Sequence, residues 1–98
     1  MPQITYIDQV KCDVKKSFFG DMLAVSVKDI ESRQQFMIVP RNMVINEDDG
    51  STYLPIGFVE IDMKFRRVLI ELPIEADSGA NRMWVGFDSI KKETGVPA

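Results

Sequence analysis

Any chemistry in this chain is done without histidine. The 98 residues contain none, and they contain one cysteine, Cys12. Histidine is the usual general acid–base near neutral pH and the commonest transition-metal ligand. Ser–His and Cys–His nucleophilic systems therefore lack their base here, and a Cys/His zinc site cannot be assembled within one chain. No catalytic residue, metal or cofactor is expected. Cys12 falls on the apolar phase of an alternating segment, the place of a small buried hydrophobe rather than a reactive thiol.

The carboxylates and glycines offer little more. Asp48-Asp49-Gly50 lacks the ligand spacing and distal Glu of an EF-hand and reads as a turn. Glu60 and Asp62 are the one carboxylate pair on a shared strand face, and they read as solvated. A carboxylate-based enzyme is accordingly the third functional reading. No glycine spacing matches a phosphate-binding loop. Asp77-Ser78-Gly79-Ala80-Asn81 is compact and polar; its backbone N–H groups suit an anion nest or a plain strand connection.

The basic and aromatic residues of the second half form the candidate binding set: Lys64, Phe65, Arg66, Arg67, Arg82 and Trp84. Basic–aromatic surfaces on small barrels bind single-stranded nucleic acid by stacking and phosphate contact. Net charge opposes that reading, at −3 from 12 basic and 15 acidic residues, because phosphate binding wants a basic surface. Nucleic acid is therefore the second reading. Trp84 depends on register. With Met83, Val85 and Phe87 facing inward it points out and is a candidate anchor; in the other register it is core.

The elements that position these residues repeat with a period of two. Ile4, Tyr6, Val10, Cys12 and Val14 share one phase of the first strand, and Asp8 interrupts it where a bulge is plausible. Lys15 to Asp21 reads as a turn. Leu23, Val25 and Val27 alternate, then Phe36 to Val39 forms a strand that Pro40 ends. Asn46 to Ser51 is a loop. Val59, Ile61 and Met63 alternate with Glu60 and Asp62; Lys64-Phe65-Arg66 turns the chain. Val68, Ile70, Leu72 and Ile74 follow, and Met83 to Phe87 is the last strand. Ser89 to Thr94 reads as one helical turn capped by Asp88. No segment keeps helical spacing over ten or more residues.

Val39-Pro40-Arg41-Asn42-Met43-Val44 resembles the closing segment of SH3 domains. The resemblance covers six residues, implies a strand–turn–strand path there, and carries no function with it. Val10–Lys15 also lies over Val59–Lys64, half a chain apart, with similar elements after each block. That succession suggests two pseudo-repeated three-stranded halves.

The expected fold is all-β, a small antiparallel barrel or two-sheet sandwich of about six strands, SH3-like in size. One domain spans 1–94, with a frayed tail at 95–98. The N-terminus shows no basic segment followed by an apolar run, and no apolar stretch approaches membrane-spanning length, so a cytoplasmic chain without membrane contact is expected. The first functional reading is a non-catalytic binding or assembly module using a sheet edge or loop rim. Its partner is expected to be a protein, including a second copy of itself, since Ile7, Met22 and Leu69 lie in the outward phase.

Overall fold

The computed structural model describes residues 3–15 and 20–95. Of the expected turn over Lys15 to Asp21, residues 16–19 lie outside that range; of the expected frayed tail at 95–98, residues 96–98 lie outside it, while Gly95 is not frayed but pairs with Gln3 in a strand ladder. Ten strands are present among the described residues: β1 (Gln3–Lys11), β2 (Asp13–Val14), β3 (Met22–Lys28), β4 (Gln34–Pro40), β5 (Ile45–Asn46), β6 (Thr52–Pro55), β7 (Gly57–Asp62), β8 (Arg67–Glu71), β9 (Arg82–Gly86) and β10 (Ile90–Gly95). Two single 3₁₀ turns, Arg41–Met43 and Phe87–Ser89, interrupt them. The expected helical turn at 89–94 is instead strand β10. Its residues pair antiparallel with β1, Gln3 with Gly95 and Tyr6 with Lys92. That partner lies at the far end of the sequence, and such non-local pairing overrides local propensity. No helix among the described residues is long and apolar enough to cross a membrane.

The strands form three antiparallel sheets, ordered β10-β1-β6-β5, β2-β3-β4 and β7-β8-β9. The chain is all-β, as its alternation predicts, and the described ladders do not join into one closed ring. The body measures 46 × 30 × 19 Å. One buried cluster draws on all three sheets, with Val10, Val25, Met37, Leu54, Ile70 and Val85 at its centre. β1 carries a register shift between Tyr6 and Val10, around the polar Asp8.

Hairpins β3–β4 and β8–β9 have matching registers. Leu23 pairs with Val39 and Val25 with Met37; Val68 pairs with Val85 and Ile70 with Met83. Each hairpin runs into a 3₁₀ turn and then a buried aliphatic residue. Val44 and Ile90 donate their N–H back to the carbonyls of Arg41 and Phe87. The path over 39–44 is the strand–turn–strand that the SH3 resemblance implies. The six-residue block match places Val10, fully buried, over Val59, 41% exposed. The ladders give a different correspondence. Val14, which pairs with Val25, matches Phe58, which pairs with Ile70.

Tight turns join the hairpins. Asp29 accepts hydrogen bonds from the N–H groups of Glu31 and Arg33 at 2.9 Å and holds the Arg33 guanidinium. Glu47 to Ser51 closes the β5–β6 hairpin, with Asp49 accepting from Ser51 N–H and Gly50 at φ +89°. Only glycine adopts that backbone at no steric cost. The loop after β8 folds on the edge of β4: Asp77 N–H donates to the Phe36 carbonyl at 2.8 Å, and Ser78 Oγ donates to Gln35 Oε1 at 2.7 Å. Its polar groups thus serve a strand connection.

The core strands and β7 are expected to respond differently to truncation. Ile70→Ala, at a fully buried site, should cost about 2–5 kcal/mol of unfolding free energy. Ile61→Ala, 57% exposed on β7, should change it by no more than about 0.5 kcal/mol. Urea unfolding of the two variants measures both, and comparable losses would contradict this division.

Candidate functional site

Two faces of the β7-β8-β9 sheet carry the candidate residues. Directly opposed residues in an antiparallel ladder share a face. Phe58 opposes Ile70 and Ile61 opposes Val68, so these β7 side chains lie on the core face. Glu60 opposes Leu69, Asp62 opposes Arg67, and Leu69 opposes Trp84, so these define the outer face. The register of β9 is the one with Met83, Val85 and Phe87 buried, and Trp84 stands on the outside, half-buried.

The outer face gathers three of the six predicted binding residues. Arg67, Arg82 and Trp84 line a cleft with Asp29, Glu31 and Arg33 from the β3–β4 turn. The Arg67 guanidinium lies 4.3 Å from the centre of the Trp84 ring. Ile30 N–H donates to the Trp84 carbonyl at 2.9 Å and ties the two hairpins together. Every guanidinium of this cleft already has a carboxylate partner: Arg33 with Asp29 and Glu31, Arg67 with Asp62, and Arg82 with Glu71.

The other three residues sit at the β7–β8 tip and do not join that cleft. Phe65 is 63% exposed, and Lys64 and Arg67 lie over its ring at 5.5 and 5.4 Å. Arg66 takes a left-handed backbone, φ +52°, which turns it to the opposite face. There its guanidinium lies 5.2 Å from the centre of the Phe87 ring. Among the described residues, neither Lys64 nor Arg66 has a carboxylate partner within ion-pair distance.

Asp62 shapes the tip. Its Oδ1 accepts from Phe65 N–H at 3.2 Å, and its Oδ2 accepts from Arg67 Nε at 3.0 Å. Partial burial pushes its pKa up, but the Phe65 N–H and the Arg67 guanidinium outweigh that and hold it below the usual carboxylate value. Asp49 is also held low, first by the Ser51 N–H. Both shifts run opposite to what a general acid needs. Cys12 is buried, and burial pushes its thiol up, away from the reactive thiolate.

Sequence reasoning missed the main feature on the core face. The alternation of Val59, Ile61 and Met63 predicts a buried strand face, yet β7 is exposed along most of its length. The register slips at Val59, which bulges out of the ladder between Phe58 and Glu60. An apolar groove of about 220 Å³ opens beside it, lined by Tyr6, Phe58, Ile61, Met63, Arg66 and Phe87, among others. The density of apolar residues from Phe58 to Phe65 was the available signal; period alone does not say which faces are covered.

Comparison with protein-family models, with curated proteins and with solved structures finds no match for this chain.

The chain has a single tryptophan, so its emission reports on the surroundings of Trp84, the Arg67 guanidinium among them. Asp62→Asn should free Arg67 and red-shift Trp84 emission at neutral pH. A carboxylate held low in the folded state stabilises above its ordinary pKa, and that contribution is lost as pH falls through the lower folded value. The acid-side loss of stability should therefore be shallower in the variant. Unchanged emission together with an unchanged acid profile would contradict the assignment.

Proposed function

We propose that this chain is a non-catalytic binding module whose working surface is the open edge of β7 and the apolar groove behind it. One observation carries the reading. Phe58 and Ile61 lie on the core face of β7 and Met63 follows at its end, all three lining the groove, yet they are 41%, 57% and 69% exposed. Contiguous exposed apolar surface on a small domain marks an interaction site more often than a packing defect. An unpaired sheet edge adds a row of free backbone donors and acceptors. The same reading takes the two hairpin–3₁₀–strand units as copies of one module wrapped around a shared core in an open, barrel-like arrangement. Their matching registers support this.

The single-strand nucleic-acid reading has less support, since the cations around Trp84 are neutralised in place and Arg67 covers the indole. A carboxylate-based enzyme finds no support in Asp49 or Asp62, whose acidity is increased.

The immobilised chain should capture a protein partner from lysate. Exchange of both Ile61 and Met63 for Asp should reduce capture at least about tenfold, a loss of roughly 1.4 kcal/mol. Arg82→Ala should leave it within about twofold. Loss of capture with Arg82→Ala and retention with the β7 variant would place the binding surface on the Trp84 cleft instead.

A further inference from the structure

The groove has strand edges on both banks. β7 is the outermost strand of its sheet, paired among the described residues with β8 only. On the other bank β1 pairs with β6 over Gln9–Lys11 and with β10 over Gln3–Tyr6, so among the described residues, positions 3–6 have a ladder partner on one side only. Between the banks the floor is apolar, with Val68, Phe87 and Ile90 at its base. An extended peptide satisfies both requirements, because its backbone completes a ladder while its alternate side chains fill the groove. A compact apolar ligand satisfies only the second.

Charge sets the sequence of such a peptide. At the tip end of β7 stand Lys64 and Arg66, without carboxylate partners among the described residues, and Arg66 lies on the groove face over Phe87. Along the outer face stand Glu60 and Asp62, with only Arg67 opposite Asp62 to balance them. A second copy of β7 is a poor match for this pattern. Antiparallel pairing of two copies would bring Glu60 and Asp62 of both onto one outer face, four carboxylates against two arginines, and adjacent like charges destabilise a sheet.

We infer that the groove takes an extended peptide strand that adds antiparallel to β7, starts with a carboxylate residue at the Lys64–Arg66 turn, and alternates apolar side chains facing the groove with basic ones beside Glu60 and Asp62. This rests on the reading of β7 as the binding surface. It goes further in naming the partner as a strand of defined charge order. Antiparallel addition continues the sense of the β7-β8-β9 sheet and is the slightly more stable pairing.

The test is an NMR titration of the full chain with the capped peptide Asp-Lys-Val-Lys-Ile-Thr-Val and with its charge-inverted counterpart Lys-Glu-Val-Glu-Ile-Thr-Val. The first should perturb Tyr6, Ile61 and Phe87 and give cross-strand contacts to β7. It should bind about tenfold more tightly than the second, the effect of several rim charge pairs acting together. Arg66→Glu should shrink that preference at least about threefold while the variant stays folded, since the side chain is exposed and only its contact with the Phe87 ring is lost. Equal affinity for the two peptides would overturn the proposal, as would perturbations confined to the Trp84 cleft. Light scattering that shows a dimer lost on Ile61→Asp would overturn it in favour of a second copy. Sodium dodecanoate is titrated in parallel. If it saturates the groove and neither peptide binds, the strand proposal fails and the groove reading stands; if no ligand perturbs the groove, both fail.

Discussion

The hydrogen bond from Ile56 N–H to the Asp8 carbonyl, 3.0 Å, is the last rung that holds the β6 segment on β1. Up to it, β6 runs beside β1, with Leu54 opposite Val10 and Pro55 opposite Gln9. Beyond it, Gly57 turns away to pair with Glu71 and begins another sheet. The buried core depends on the first part of this path, because Val10, Leu54 and Ile56 are brought together by it. The groove depends on the second. Once β7 has left β1, its core-facing side chains have strand on one side and an opening on the other. Among the described residues nothing covers them, and β7 is exposed along most of its length.

The charges follow the same division. On the outer face of β7-β8-β9 each arginine is matched to a carboxylate, and such exposed pairs add little stability individually. They fix side chains in place: Asp62 sets Arg67, and Arg67 covers Trp84. At the tip and over the groove, Lys64 and Arg66 contact aromatic rings instead. Arg66 lines the apolar groove without a carboxylate partner among the described residues, whereas the arginines of the Trp84 cleft are all paired. This is why the basic–aromatic set, although close in sequence, separates into two surfaces of different character.

Much of the fold was legible from periodicity. Leu23, Val25 and Val27, and Val68, Ile70 and Leu72, are buried as their alternation predicts, because all but Leu72 lie on a central strand with a partner on either side, and Leu72, just past the end of β8, is held by its N–H bond to the Asn81 carbonyl. The same alternation from Val59 to Met63 misleads, since a period of two shows that a strand has an apolar face and not that another layer meets it. The strand at 90–95 was hidden for a related reason: its partner is β1, and short local sequence does not report a partner so far away. The division into three sheets was also hidden. It is set by where β1 and β2, and β6 and β7, change neighbours at Cys12 and Ile56, and neither residue carries a turn signature. Of the candidate site, the residue types were visible and their grouping was not, because the left-handed turn at Arg66 sends it to the opposite face from Arg67.

Native-state amide hydrogen exchange of the full chain, resolved by residue at a concentration low enough to keep it monomeric, tests most directly whether β7 has a free edge beside an open groove. Alternate amides of β7 should exchange at rates close to those of an unstructured chain, while the amides of β8 are protected near the limit of global unfolding. Protection as strong and as uniform along Gly57–Asp62 as along Arg67–Glu71 would mean that the edge is already occupied, and would contradict the account.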